Sequence, residues 1–247
     1  MFIVVKKKTL LIIVAAILVV AIAASVTIVS INALAASSED TPVVVLDAGH
    51  GGVDNGGTGI NSGITEKELN LILVLKVKKL LEKDGIKVVL TRENNDGLYG
   101  DSKKNMKRAD MEKRKEIILK ANASVVVSLH GNRFPDKSRR GAQVFFEEFS
   151  AESKALAALL QSSLNTLNNQ HVQREFQALK GDYYLLKCSK VPSAIVEYGF
   201  LSNPDDDALL QKEEYRDDLA FRLYSGIKAY LTKNAISPEP EVTGDAL

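Results

Sequence analysis

Three short apolar runs, each lying beside a residue capable of chemistry, constrain the fold of this chain more than any other feature. The runs are "VVVLD" at Val43–Asp47, "SVVVSLH" at Ser124–His130 and "AIVEY" at Ala194–Tyr198. Runs of this length are typical of strands that are buried on both faces of a sheet. An amphipathic stretch of helical period, Glu66–Lys83, follows the first of them. This alternation predicts an α/β fold with a mostly parallel central sheet flanked by helices on both faces.

The other segments extend the alternation along a single domain. Asn203 and Pro204 are the residue types preferred at a helix N-cap and at the first helical position, so a short helix is predicted to begin there. The remaining predicted elements are strands at Ile86–Arg92 and Ala142–Glu147, helices at Met106–Ala121, Ala151–Asn168 and Glu213–Lys233, and a polar loop over residues 93–105.

The ends of the chain differ in composition from the predicted domain at residues 43–233. Residues 37–42 form a short polar linker, and residues 234–247 contain two prolines and three acids. Such a composition predicts a disordered tail, because it offers little apolar surface to bury.

Residues 1–36 are predicted to be a membrane anchor or a signal segment. Lys6–Lys8 precede an uninterrupted apolar run at residues 10–24, and no further charged residue occurs before Glu39. The apolar stretch is long enough to span a bilayer. "ALA" at residues 33–35 also matches a signal-peptide cleavage pattern. Both alternatives keep the lysines in the cytoplasm and place the domain outside it.

The charge balance excludes one class of partner. Of the 32 basic residues, 29 lie beyond residue 36, where they face all 31 acidic residues. No basic field for nucleic acid results. The single cysteine, Cys188, cannot form an internal disulfide, and we interpret it as a small half-buried apolar residue.

Four titratable residues are predicted to meet at one edge of the sheet. His50 follows the first strand, His130 ends the second and Glu197 lies in the third. Glu66 is the first residue of the predicted helix that follows the loop after the first strand. Sites of parallel sheets lie beyond the carboxyl ends of the strands. Two imidazoles and a carboxylate are a usual catalytic zinc set, and a second carboxylate can act as a general base. The sequence therefore predicts a zinc hydrolase site.

Simpler interpretations exist for most of these residues taken singly. A histidine at a strand end is often a capping residue, and Glu66, with Glu68 as its nearest rival, suits any helix N-terminus. Glu197 is harder to explain, since a carboxylate inside an apolar strand needs a cation or hydrogen bonds. Of the other polar residues, His171 is interpreted as a surface residue, while Asp47 and Asp54 either orient a ligand or make turns.

Four blocks of sequence resemble, in order, the signature blocks of the zinc-dependent N-acetylmuramoyl-L-alanine amidases of the amidase-3 type. They are "LDAGHGGVDNGG", "GITEKELN", "VVVSLHGN" and "AIVEYGFLSN", and the resemblance covers about residues 43–231. It implies an α/β amidase catalytic domain with one Zn²⁺ ion, bound by His50, Glu66 and His130. It further implies that Glu197 is the catalytic glutamate.

Two arginines match further positions of the family pattern, and the sequence departs from that pattern at two places. Arg92, in "LTR", and Arg114 occupy family positions that we interpret as structural. Ala48 stands where the family often has proline, which stiffens a turn and does no chemistry. No counterpart of a helical insert that plugs the site in regulated relatives occurs between Glu147 and Ala155. The groove is therefore expected to be open, or controlled by a separate accessory protein of the envelope.

Within the family, the short domain behind an N-terminal segment resembles the sporulation-type amidases of the spore cortex. Those enzymes act on peptidoglycan and, together with a deacetylase, lead to muramic lactam. The resemblance implies an extracytoplasmic location, in the space between forespore and mother cell. Asn132 is a further predicted substrate-binding residue, and Asn203 is explained equally well as an N-cap.

Two other function classes stay open on the sequence. The same metal set would serve another envelope zinc hydrolase, such as a peptidoglycan deacetylase or carboxypeptidase. A non-catalytic wall-binding module on the same fold is the second alternative. Product analysis separates the hydrolases, because an amidase frees the amine of L-alanine and a deacetylase frees acetate.

Overall fold

A six-stranded sheet organises the computed structural model, which describes Lys8, residues 41–102 and residues 104–236. The predicted N-terminal segment, apart from Lys8, lies outside the described residues, as does the chain beyond residue 236. The strands are β1 (Val43–Ala48), β2 (Lys87–Leu90), β3 (Val125–Asn132), β4 (Gln143–Phe146), β5 (Leu179–Lys180) and β6 (Ser193–Phe200). The helices are α1 (Glu66–Lys83), α2 (Met106–Lys120), α3 (Ala151–His171), α4 (Tyr184–Lys187), α5 (Pro204–Gln211) and α6 (Glu213–Ile236).

The strand order is β2-β1-β3-β6-β4-β5. The four strands β2, β1, β3 and β6 run parallel, whereas β4 pairs antiparallel with β6 and carries β5 parallel to itself. The predicted mostly parallel sheet is therefore confirmed, and β4 with β5 forms an edge of opposite direction. The carboxyl ends of β1, β3 and β6 meet at one edge, because these three strands are parallel neighbours.

Alternation along the strands gives the sheet two apolar faces, each covered by helices. Val44, Val125 and Val196 belong to the larger core, which includes buried residues of α1, α3 and α6. Val45 and Val126 belong to a smaller core with residues of α2 and α4. Strands buried on both faces explain why these segments read as continuous apolar runs.

The element boundaries differ from the prediction at a few places. Strand β5 and helix α4 were not expected, because two or four residues are too short to create a period. Helix α6 continues to Ile236, three residues into the segment predicted as a tail. In the part of the chain that the structure describes, none of the helices has both the length and the apolar character needed to cross a membrane.

Candidate metal centre and active site

The turn after β1 holds His50 in an unusual backbone conformation. His50 has a φ of 63°, in the left-handed region that residues with a side chain seldom adopt. Its ring atom Nδ1 lies 2.9 Å from Oδ2 of Asp54. Because a carboxylate only accepts, this contact places a proton on Nδ1 and turns Nε2 towards the interior of the site.

Two buried arginines hold the backbone of this turn. Arg92 donates from Nε to the carbonyl of Ala48 at 2.9 Å and from Nη2 to that of Gly49 at 3.0 Å. Arg114 donates from Nη1 to the carbonyl of Ala48 at 2.8 Å and from Nη2 to that of His50 at 2.6 Å. The structural roles predicted for Arg92 and Arg114 follow directly: their guanidinium groups fix the peptide that carries His50.

Asp47 anchors Arg114 beneath the turn. Its carboxylate accepts hydrogen bonds from Thr91 Oγ1 at 2.7 Å and Ser128 Oγ at 2.5 Å, and it pairs with Arg114. Burial alone would raise the pKa of Asp47, but Arg114, helped by the two hydroxyls, lowers it to about 2. The sequence left open whether Asp47 orients a ligand or makes a turn; in the structure its side chain instead holds Arg114, Thr91 and Ser128.

Glu66, the first residue of α1, is the point where the two site histidines converge. Its Oε1 lies 3.0 Å from His50 Nε2 and 2.9 Å from His130 Nδ1. The backbone N–H groups of Gly131 and Gly57 donate to Oε1 and Oε2 at 3.2 Å and 2.7 Å. Burial opposes ionisation, yet the hydrogen bonds and the charge of His130 and His50 hold the pKa of Glu66 far below its ordinary value. In the same way Glu66 and Asp54 overcome burial and raise the pKa of His50 to about 9.

Two glycines leave the space that this convergence requires. A Cβ at Gly49 would lie 2.2 Å from the nearest ring atom of His130. A Cβ at Gly56, where φ is 65°, would lie 2.4 Å from Oε2 of Glu66 and 2.7 Å from the ring of His50. The sequence "GHGGVDNGG" therefore has glycine where the side chains of the cluster approach the backbone most closely.

The three side chains form a group with metal-ligand character. One donor atom from each of His50, Glu66 and His130 lies within 4.8 Å of the other two. Two imidazole nitrogens and one carboxylate oxygen are a donor set that zinc accepts, with a position left for water or substrate. Asp54, on the far ring nitrogen of His50, supplies the carboxylate that commonly orients a metal-binding histidine. The residues present fit the zinc ion that the sequence predicts.

Glu197 lies beside this group in different surroundings. On β6 it is the register partner of His130 on one side and of Gln143 on the other. It is half-buried, and in the described part of the chain its carboxylate has no hydrogen-bond partner. Burial raises the pKa of Glu197, and the charge of Glu66 raises it further while the histidines lower it. A carboxylate of this kind is suited to exchanging a proton.

Two cavities adjoin the site on the face of the sheet that carries His130 and Glu197. The first, of about 720 Å³, is lined by His50, His130 and a mixture of polar side chains with apolar or aromatic ones such as Val53, Met111 and Tyr184. The second, of about 850 Å³, is lined by Glu197, by Asn132 and by several arginines and phenylalanines. Tyr183 lines both. The sequence predicts an open groove or control by a separate partner, and these two cavities are open space beside the site.

The other residues singled out by the sequence take supporting places. Glu68 accepts hydrogen bonds from the backbone N–H and the hydroxyl of Thr65 at the start of α1. Asn203 caps α5 by accepting from the N–H groups of residues 205 and 206. His171 ends α3 and stacks edge-on with Tyr215. The half-buried Cys188 contacts the smaller core.

Sequence reasoning missed two features of the site. Tyr183, between the cavities, follows the two-residue strand β5, which gives no periodic signal. Arg139 and Arg174 come from irregular segments that pack together only in the fold. Their spacings from Phe134 and Phe176 differ and match no regular element, so these contacts leave no signal in the sequence.

These features, an α/β sheet with two histidines and two glutamates at the carboxyl edge of its parallel strands, are typical of metal-dependent hydrolases. The chain belongs to the amidase-3 family of N-acetylmuramoyl-L-alanine amidases, whose family model matches residues 44–229. The family resemblance stated from the four sequence blocks is thereby confirmed.

Relatives with known names support this assignment. The germination-specific N-acetylmuramoyl-L-alanine amidase of Bacillus subtilis (strain 168) is 33% identical over 200 residues, which are 80% of this chain and 83% of that protein. The amidase LytC of the same organism is 28% identical over 207 residues, 81% of this chain but 38% of that longer protein.

Solved structures share the fold. The CwlD amidase from Clostridioides difficile, determined in complex with the GerS lipoprotein, is 35% identical with a TM-score of 0.72. The match covers 78% of this chain and 99% of that one. The catalytic domain of the amidase CwlV from Bacillus (Paenibacillus) polymyxa var. colistinus is 27% identical with a TM-score of 0.66, covering 77% of this chain and 98% of that one. This chain is therefore an amidase in fold and family.

Proposed function

We propose that His50, Glu66 and His130 bind a zinc ion and that Glu197 is the general base of the amidase reaction. The reaction is hydrolysis of the amide between the lactyl group of N-acetylmuramic acid and L-alanine in peptidoglycan. The observation that supports the proposal most strongly is the convergence of both histidines on one oxygen of Glu66, with Glu197 on the adjacent strand.

Each residue then has a distinct task. Bound zinc would lower the pKa of water to about 7 and polarise the scissile carbonyl. Asp54 keeps His50 in the tautomer that offers Nε2, and Arg114 fixes the backbone of His50. Glu197 accepts the proton of the attacking water and returns it to the leaving amine of L-alanine. The raised pKa of Glu197 supports this role, because it brings the carboxyl closer to the working pH.

We further propose a role in the spore cortex. The likeness to a germination-specific amidase supports cortex peptidoglycan as the substrate, with muramic lactam formed together with a deacetylase. An extracytoplasmic location follows from that substrate, and the apolar run at residues 10–24 supports membrane attachment or export. Asn132 lines the cavity beside Glu197, which supports its predicted contact with substrate.

An accessory envelope protein is part of the proposal. The CwlD structure contains a lipoprotein partner, and the present site opens into two broad cavities. Zinc content of the full chain, measured alone and with candidate envelope lipoproteins, tests the dependence. Full occupancy of the chain alone would contradict the need for a partner.

The experiment that tests the proposed function combines metal analysis with product analysis. The full chain is purified without chelator, its zinc content is measured, and peptidoglycan digests are analysed for peptides with a free L-alanine amine. We expect about one zinc per chain, lost in His130→Ala, retained in an inactive Glu197→Gln, and unchanged in the control His171→Ala. Acetate release without peptide release would instead indicate a deacetylase. Peptidoglycan binding with full activity of Glu197→Gln in cells would indicate a wall-binding module.

A further inference from the structure

The cavity beside Glu197 contains two arginines that have no acidic partner in the described part of the chain. Arg139 lies over the ring of Phe134, with its guanidinium carbon 4.6 Å from the ring centroid. Arg174 lies over Phe176 at 5.1 Å. Both arginines are exposed, both line the cavity, and neither forms an ion pair with a carboxylate of the described residues.

Apart from Glu197, the other charged side chains that line this cavity have hydrogen-bond or ion-pair partners. Arg140 pairs with Asp205 and Asp206. Among the lining acids, Asp136 accepts hydrogen bonds from Ser138, and Glu175 accepts one from Asn169 at 2.8 Å. The hydrogen bonds from Ser138 lower the pKa of Asp136, and the positive charge of Arg139 lowers it by a smaller amount. Besides Glu197, Arg139 and Arg174 are therefore the charged groups of the lining whose side chains have neither an ion pair nor a hydrogen bond among the described residues.

The contacts of the two guanidinium groups with aromatic rings indicate which kind of ligand they can bind. A guanidinium group whose face rests on an aromatic ring keeps its N–H groups free at its edge. Those N–H groups match the two oxygens of a carboxylate, which they bind in a planar bidentate pair. A carboxylate is thus the ligand chemistry that fits Arg139 and Arg174.

The position of Glu197 indicates which side of the substrate this cavity receives. The group that returns a proton to the leaving amine must lie on the amine side of the scissile bond, and Glu197 lines the arginine cavity. The sugars on the other side are neutral once the lactyl carboxyl is tied up in the amide. The stem peptide on the amine side carries the free carboxylates.

We propose that Arg139 and Arg174 bind a carboxylate of the stem peptide and so make the enzyme prefer peptides in which that group is free over peptides in which it is amidated. The inference rests on the proposed function, since it takes the orientation of the substrate from the role of Glu197. It makes the second cavity a charge-selective peptide subsite, with Tyr183 at its border with the first cavity.

A binding experiment tests the subsite without requiring catalysis. The probes are L-alanyl-γ-D-glutamyl-L-lysine and the same peptide with the α-carboxyl of its glutamate amidated, titrated calorimetrically into the full chain. We expect the free carboxylate to bind about five- to tenfold more tightly, as for a partly exposed charge-assisted contact. Arg139→Gln and Arg174→Gln should each reduce the ratio, and the double variant should bring it to about one. Arg174→Lys should restore part of it, because lysine keeps the charge and loses the planar fork.

Arg222→Gln is the matched control. Arg222 also lies over a phenylalanine, Phe221, at 5.5 Å, but it is on α6 and lines neither cavity. Its replacement should leave the ratio unchanged. A ratio of one in the wild type, or a ratio that survives the double variant, would overturn the proposal.

Kinetics with the matching muramoyl peptides separate this inference from the proposed function. The arginine variants should raise KM for the free-carboxylate substrate with little change in kcat, because the contact is made equally in the ground state and the transition state. Absence of hydrolysis with an intact binding preference would refute the amidase mechanism and leave the subsite standing. Normal hydrolysis with no preference between the two substrates would refute the subsite alone.

Discussion

Glu66 and Glu197 both neighbour His130 at the carboxyl edge of the sheet, one through a hydrogen bond and the other through the strand register. Around Glu66, two imidazoles and two backbone N–H groups point at the carboxylate. Around Glu197, the described residues provide no hydrogen-bond donor. The pKa of the first carboxyl is accordingly lowered and that of the second is raised.

This contrast shows how one sheet edge provides two carboxylates with different chemistry. A carboxylate surrounded by donors stays ionised and fixed in position, which suits a metal ligand. A carboxylate in a half-buried position without donors exchanges its proton more readily near neutral pH, which suits a general base. Local structure sets the contrast: Glu66 is the first residue of a helix, beside the N–H groups of Gly57 in a loop and of Gly131 near the end of β3, whereas Glu197 lies within strand β6.

Replacing Glu197 with glutamine should have the largest effect and test the contrast directly. We expect kcat to fall by about 10³-fold, within the range of a lost general base, while zinc content stays unchanged. Because the folded state raises the pKa of Glu197, its charged form disfavours folding above the ordinary pKa. The chelator-treated variant should therefore unfold at an equal or higher temperature than the wild type at pH 7. Zinc loss in Glu197→Gln would break the contrast by making Glu197 a ligand.

Asp47 extends the comparison to a third carboxylate, buried beneath the site. Asp47→Asn breaks a buried ion pair with Arg114, and we expect the free energy of unfolding to fall by about 3 kcal/mol at pH 7. The folded pKa of about 2 lies below the ordinary value of about 3.9. The stabilisation is therefore present above about pH 4 and is lost as the pH falls towards 2. Denaturant unfolding at several pH values should show a steeper loss over that interval in the wild type than in the variant.

The main strands, the long helices and the edge where the site forms could be predicted from the sequence. Strands β1, β3 and β6 are buried on both faces, so their apolar runs are continuous and easy to recognise. Strand β5, helix α4 and the reversed direction of β4 could not be predicted, because they depend on contacts between distant segments. The end of α6 was placed three residues early, since helix ends are set by local capping that a polar segment leaves open.

The site was predictable to the level of residue type and strand end, and the family resemblance supplied the assignment of roles. The sequence could not show that both histidines approach the same oxygen of Glu66, nor that His50 has a positive φ. The turn that carries His50 is held by Arg92 and Arg114, which come from distant segments and bind its carbonyls. That Arg139 and Arg174 have no ion-pair partner among the described residues is likewise a property of the packed fold.

Asp54→Ala should have an intermediate effect, which is limited to the affinity of the site for zinc. Asp54 contacts the ring nitrogen of His50 that faces away from Glu66. Loss of such a partner typically weakens metal binding by about 10- to 100-fold, and we expect zinc affinity to fall by that factor. Competition with a chromophoric zinc chelator measures it. Activity at saturating zinc should largely recover, and failure to recover would show that Asp54 has a role beyond orienting His50.

Glu68→Ala should have the smallest effect and sharpen the comparison between neighbouring glutamates on one helix. Glu68 lies two residues after Glu66, but its carboxylate is bonded to the N–H and hydroxyl of Thr65, which also lower its pKa. Its loss removes one half of a capping box, so we expect a cost of about 0.5–1 kcal/mol, a fall of about 1–4 °C in Tm. Zinc content and kcat/KM should match the wild type, whereas Glu66→Gln should lose both. Loss of zinc in Glu68→Ala at an unchanged Tm would show that Glu68, and not Glu66, is the metal ligand. A residue that only caps the helix could not remove the ion and leave the helix intact.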